Sequence, residues 1–187
     1  AESFRKDPSA TIGQHQTRAR YNIVYAPTVL RGSRQYVPPK LSDPLYLDWQ
    51  FRLVEALQNL DINLKVRPHP EGLLRGQPNP LSAIIATETD SFEKLMADAD
   101  VFVFDTHQSS TFFSAACTDR PVVLLDYEPH ILNDSTRQVF DRRCEIVKVR
   151  PDDRQRPILD TEQLALLVGQ RQAQVAALVG AALDRRR

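Results

Sequence analysis

Cysteine is scarce in this chain: Cys117 and Cys144 are the only two. Their spacing fits neither a disulfide framework nor a metal site. Two thiols without a pairing pattern suit a reducing cytosol, so a cytoplasmic setting is expected. An excess of one charge is lacking as well. Lysine plus arginine and aspartate plus glutamate number 24 each, so no net positive charge marks a polyanion partner, and no nucleic acid is expected. No apolar run approaches the roughly 20 residues that cross a bilayer, and the start carries no signal-peptide pattern. Glycine fingerprints are missing too: no Gly-x-Gly-x-x-Gly after a strand, no Gly-x-x-x-x-Gly-Lys-Ser/Thr and no Gly-x-Ser-x-Gly occurs. These absences remove support from dinucleotide dehydrogenases, P-loop NTPases and α/β-hydrolases in turn.

What is present is enough for one ordinary domain. The chain has 187 residues and is 42% hydrophobic, which allows a sizeable core. Residues 1–19 are polar, contain Pro8 and Gly13 and show no period, so they read as a linker or flexible tail preceding a domain over 20–187. The opening residue is Ala1 rather than methionine, and the expectation is a piece of a longer protein. Basic residues gather early, at Arg18, Arg20, Arg31 and Arg34, and again at Arg185-Arg186-Arg187. The terminal run reads as a solvated helix end.

Strand-like and helical patterns alternate. Tyr21–Ala26 reads as a first strand stopped by Pro27, followed by a long loop over 28–44. Leu47, Phe51, Val54, Leu57 and Leu60 share a helical face, giving a helix over about 45–60. Ile62–Val66 is a second strand, and 70–80, rich in proline, is loop. Leu81–Thr87 fits either a short strand or a helical turn. Asp90 is placed to cap a helix over Ser91–Ala97. Val101–Phe104 and Val122–Leu125 are continuous apolar runs, the pattern of strands covered on both faces. Between them Ser110–Thr118 supplies a crossover helix, on whose buried face Cys117 is expected. A helix over Ser135–Arg142 and a strand over Ile146–Val149 follow. A last helix is capped by Asp160, with Leu164, Leu167, Val168, Val175, Leu178 and Val179 along one face. The alternation predicts an α/β fold with a mainly parallel, Rossmann-like sheet and helices on both faces.

The chemistry gathers where strands end. In open parallel sheets, ligands bind outside the carboxyl ends of the strands. After the third strand comes Asp105-Thr106-His107-Gln108-Ser109-Ser110-Thr111. There Ser109 or Ser110 can cap a helix while hydroxyls and amides bond phosphate oxygens. Asp105 would orient a hydroxyl or hold the loop. A plain helix cap needs only one of these serines. After the second strand comes Arg67-Pro68-His69-Pro70, in which two prolines restrict the backbone around His69. An imidazole donor there would stabilise charge on a departing phosphate. Thr28 and Arg31 after the first strand could close over the same phosphate, or remain solvated. His69, His107 and His130 lie near strand ends without metal-ligand spacing, so no metal and no other cofactor is expected.

Several of these elements also follow a familiar order. Ile23-Val24-Tyr25-Ala26-Pro27-Thr28 comes first, then Arg67-Pro68-His69-Pro70. Ala97-Asp98-Ala99-Asp100-Val101 follows with Asp105 and Ser109-Ser110, and Arg120-Pro121-Val122-Val123 closes the series. Over roughly residues 20–150 this resembles the C-terminal, donor-binding half of GT-B-fold transferases. The group most resembled is that of the CDP-glycerol glycerophosphotransferases of teichoic-acid synthesis and the bacterial capsule polysaccharide transferases. Bacterial sialyl- and Kdo-transferases share comparable His-Pro and Ser-Ser elements.

The resemblance implies an enzyme of surface polysaccharide synthesis that takes a cytidine-nucleotide donor, CDP- or CMP-linked. It implies phosphate contacts from His69, Ser109 and Ser110, joined in the candidate donor site by Thr28, Arg31, Arg67, His107 and Thr111. His69 and Asp105 are the candidate catalytic residues. His107-Gln108 stands where the family has a single aromatic residue, and Tyr127-Glu128-Pro129-His130 follows the family loop only loosely. A GT-B enzyme works between two such domains. An acceptor domain elsewhere in the parent chain or on a partner subunit is therefore implied, together with a general base outside this chain and a site of action at the inner membrane face. Two alternatives stay open: a UDP-sugar 2-epimerase-type enzyme, and a non-catalytic GT-B-like regulatory or assembly domain.

Overall fold

The computed structural model describes residues 20–32, 41–71, 76–127 and 134–169. The tail over 1–19, Arg34, His130, Val175, Leu178, Val179 and the terminal arginines lie outside the described residues. Five short strands form the centre: β1 (Tyr21–Ala26), β2 (Ile62–Val66), β3 (Val101–Phe104), β4 (Val122–Tyr127) and β5 (Glu145–Val149). They pair in the order β2-β1-β3-β4-β5, and every pairing is parallel. Parallel strands need long crossovers, and helices supply them. α1 (Asp43–Gln58) links β1 to β2, α2 (Phe92–Asp98) precedes β3, α3 (Ser110–Ala116) links β3 to β4, and α4 (Asp134–Arg143) links β4 to β5. A further helix, α5, is described over 161–169.

Strand alternation sorts the core into two layers. Ile23, Tyr25, Val101, Val103, Val123, Leu125 and Tyr127 pack on one face with Trp49, Leu53 and Leu57 of α1 and Leu164, Leu167 and Val168 of α5. Val24, Phe102, Phe104, Val122 and Leu124 point the other way, onto Phe92 and Leu95 of α2, Phe112 and Ala115 of α3 and Phe140 of α4. All residues of β3 and β4 are buried, as their uninterrupted apolar runs predict. Each fully buried large side chain contributes about 1.5–3 kcal/mol relative to exposure. The result is a doubly wound α/β domain of Rossmann-like arrangement.

Several local expectations shift. The buried face of α1 is Tyr46, Trp49, Gln50, Leu53, Val54 and Leu57, while Leu47 and Phe51 are only partly buried against the same core. The helix is apolar over more than half its circumference, so periodicity alone leaves its rotation loose. Leu81–Thr87 divides between both readings. Pro80–Ala83 is a 3-10 turn, and Thr87 makes a single parallel bridge to Val66, a vestige of a strand outside β2. Asn79, not a helix residue, caps that turn by accepting the Leu81 amide at 3.0 Å. Ser91 rather than Asp90 occupies the N-cap position of α2, without a side-chain cap bond, and Asp90 instead pairs with Lys94 at 3.3 Å. Cys117 is exposed: α3 ends at Ala116, so the buried series Phe112, Ala115 stops before it. Asp160 does cap α5, accepting the Gln163 amide at 2.8 Å.

Candidate functional site at the carboxyl edge of the sheet

β2 lies on one side of β1 and β3 on the other, so the chain reverses its direction of winding between β1 and β3. In open parallel sheets such a reversal is where ligands bind, outside the carboxyl ends of the two strands. The β1 loop carries Thr28 and Arg31, the β3 loop Asp105 to Ser109. The site therefore falls where strand order alone would put it.

Asp105 ties the two loops together. It is completely buried and accepts three bonds: from Tyr25 Oη at 2.7 Å, from the Thr28 amide at 2.7 Å and from Thr28 Oγ1 at 2.5 Å. Burial raises its carboxyl above the usual range, while the Thr28 and Tyr25 bonds pull the other way. Gln50 of α1 adds a fourth tie by donating to the Thr28 carbonyl at 2.8 Å. Both donors of Thr28 are thus engaged, which leaves its hydroxyl able only to accept. Asp105 orients a hydroxyl and holds the loop, and it has no face toward solvent.

An aromatic floor lies beneath this tie. Tyr46 and Trp49 meet the Tyr127 ring edge-on, with centroids 5.8 and 5.4 Å away. Burial and the nearby Asp105 charge push the Tyr25, Tyr46 and Tyr127 hydroxyls well above their ordinary pKa. The Arg31 charge acts on Tyr46 in the opposite sense. Arg31 itself is exposed. Its amide and that of Gly32 are held by the Asp43 carboxylate at 3.2 and 2.5 Å. Gly32 has φ +65°, a left-handed conformation that glycine adopts without strain.

On the other flank, Ser109 caps α3 by accepting the Phe112 amide at 3.2 Å, and its hydroxyl is hydrogen-bonded to Thr111 Oγ1 at 3.0 Å. Ser110 opens the helix and is exposed. The His107 ring packs on Phe140 of α4, 5.8 Å between centroids. Thr106 Oγ1 accepts the Gln108 amide at 3.1 Å, which closes the loop locally.

Beyond β2, His69 is exposed, and its Nδ1 accepts the Glu71 amide at 3.1 Å. That bond leaves Nε2 as the protonated nitrogen of the neutral ring, able to donate. Among the described residues His69 bonds to neither Thr28, Asp105 nor Ser109. Arg67 is differently placed from the expectation of a ligand contact: its side chain donates to the carbonyls of Asp90, at 2.7 Å, and of Pro68.

Two participants went unnoticed in the sequence. Gln50 sits in an apolar stretch of α1, where a buried amide must find a partner. Asp126 closes the apolar run of β4 as Asp105 closes that of β3, and that parallel was the available signal. Asp126 is buried and lies 3.8 Å from the Arg137 guanidinium. A groove of about 490 Å³ exists elsewhere, between α1 and the 150–161 segment. Its arginines are paired within it or beside it, Arg156 with Asp152 and Arg52 with Asp48, so no free donors converge there. Among the described residues no cluster of histidine, cysteine or acidic side chains could hold a metal ion, and no helix is long and apolar enough to cross a membrane. Comparison of the chain with protein-family models, with curated proteins and with solved structures found no match.

Proposed function

We propose that this chain is a nucleotide-phosphate-binding domain, the donor-binding half of a GT-B-type glycosyl- or glycerophospho-transferase taking a cytidine-activated donor in bacterial surface polysaccharide synthesis. The observation that carries the reading is the reversal of strand order between β1 and β3, the place where open parallel sheets bind ligands, flanked by the hydroxyl-bearing loop that ends in Ser109, Ser110 and Thr111. The cytidine preference, the transferase chemistry and the polysaccharide setting rest on the sequence resemblance alone.

In this reading the domain binds and orients the donor and stabilises the leaving nucleotide phosphate as its bond to the transferred carbon or phosphorus breaks. Ser110 and whichever of the Ser109 and Thr111 hydroxyls accepts in their mutual bond would donate to phosphate oxygens, and His69 would supply its Nε2 proton. Asp105 works indirectly, by holding the β1 and β3 loops at a fixed separation. Both its oxygens are engaged, so a general base has to come from outside this set of residues.

The test is thermal unfolding against CMP, CDP, UDP, GDP and ATP, with His69→Ala and Ser110→Ala alongside the wild type. A ligand at about 100 times its Kd adds about 2.7 kcal/mol, which raises the midpoint of a domain this size by several degrees. The expected outcome is a cytidine-selective rise that both substitutions reduce. A rise with UDP alone would transfer the reading to an epimerase-type enzyme. No rise with any nucleotide would end it.

A further inference from the structure

The arginines of α4 do two different jobs. Arg143, at its end, is fully engaged: its side chain donates to the carbonyls of Ala115, Ala116, Thr118 and Arg120, at 2.6–3.0 Å. It closes the C-terminal end of α3, where unpaired carbonyls favour a cation. Among the described residues Arg137 makes no such bonds. Its one ionic partner among the described residues is Asp126, at 3.8 Å, beyond hydrogen-bonding distance. A guanidinium has five donors in a rigid planar fork, and this one is partly exposed, at 31%.

Its position follows from its neighbours. Phe140 lies three residues on, on the same helical face, and touches both Phe112 in the first turn of α3 and His107 in the β3 loop. Arg143 then reaches the far end of α3, so α4 and α3 run the same way. At 1.5 Å per residue, Arg137 stands about 4.5 Å nearer the carboxyl edge than Phe140, beside the loop that carries His107. Asp126, the penultimate residue of β4, holds it there from below. A buried carboxylate favours a positive group nearby, and Arg137 lies within ion-pair reach of this one while its fork makes no hydrogen bond among the described residues.

We propose that Arg137, positioned by Asp126, is the guanidinium that contacts the phosphoryl group of the ligand at this edge of the sheet. The proposal rests on the nucleotide-phosphate reading above and adds a residue that reading did not contain. It assigns the acceptor of that contact to a planar oxyanion such as phosphate, which takes two parallel N–H bonds from one arginine.

Calorimetric titration of the whole chain with CMP and with inorganic pyrophosphate tests this, using wild type, Arg137→Ala and Arg137→Lys. Arg137→Ala should weaken CMP on the order of tenfold or more, and the lysine variant, which keeps the charge without the fork, should lie between. A merely structural counter-ion for Asp126 would lower the unfolding midpoint while leaving CMP affinity as in the wild type, and that result overturns the proposal. If wild type binds pyrophosphate but no nucleotide and Arg137→Ala abolishes that binding, the contact stands and the nucleotide reading falls. If wild type binds neither, both fall. Should the alanine variant not fold, the lysine variant decides, with unchanged CMP affinity counting against the contact.

Discussion

Strand β3 starts beside one buried aspartate and ends against another, and the two are built into opposite edges of the sheet. Asp100, 4% exposed, accepts the Asn22 amide at 2.9 Å and lies 3.8 Å from Arg120. Around it Asn22 donates to the Asp98 carbonyl at 2.9 Å, and Asn63 donates to the Asn22 side chain at 2.7 Å. That edge is closed, with chain bonded to chain. Asp105, fully buried, instead collects a phenol, a hydroxyl and an amide from the β1 side, and the elements around it keep outward donors at His69, Ser110 and Arg137. The difference separates two uses of the same residue type. One aspartate fastens strands; the other sets the spacing of two loops between which something else can bind.

Breaking each end should expose that difference. The largest effect is expected for Asp105→Ala, which leaves the buried Tyr25 phenol and both donors of the half-buried Thr28 without their partner. The loss should be about 3 kcal/mol by urea denaturation, larger than for Asp100→Ala, whose edge has other bonds to fall back on. If Asp100→Ala proves the more damaging, the loop-spacing role of Asp105 is misassigned.

The pH dependence sharpens the same contrast. The folded state holds the Asp105 proton more tightly than the unfolded chain, so its contribution to stability is fully present below the ordinary carboxylate value of 3.8 and is lost as pH rises through the raised folded value. Asp105→Asn should flatten the denaturation midpoint across that window. At the alkaline end the three tyrosines act with the same sign. They keep their protons in the fold, so stability should fall as pH climbs past about 10, where unfolded tyrosines ionise. The smallest change is expected for Ser109→Ala. Loss of the α3 cap should remove about 1 kcal/mol, with the pH profile untouched.

Much of this arrangement was legible in advance because it depends on local patterns. The five strands fall on runs rich in β-branched and aliphatic residues, and Asp160 and Ser109 cap the helices that follow them. The rotation of α1 was not legible, since a helix apolar over so much of its surface can present more than one face. The occupation of Arg67 by the carbonyls of Asp90 and Pro68 was not legible either, because the Asp90 partner comes from a turn more than 20 residues away.

The two strand-end aspartates mark the boundary most clearly. From the residues alone, Val-Phe-Val-Phe-Asp and Val-Val-Leu-Leu-Asp look alike: four apolar positions and a carboxylate at the rim. In the sheet Phe102 pairs with Val122, not Val101 with Val122. That offset of one residue reverses the face of the closing residue, because strand side chains alternate. Asp105 therefore points to the α1 side and meets Tyr25 and Thr28, whereas Asp126 points to the α4 side and meets Arg137. Composition and period determined an α/β domain with its polar residues gathered at strand ends. Which of those residues face one another was decided by register and strand order, which only the assembled sheet defines.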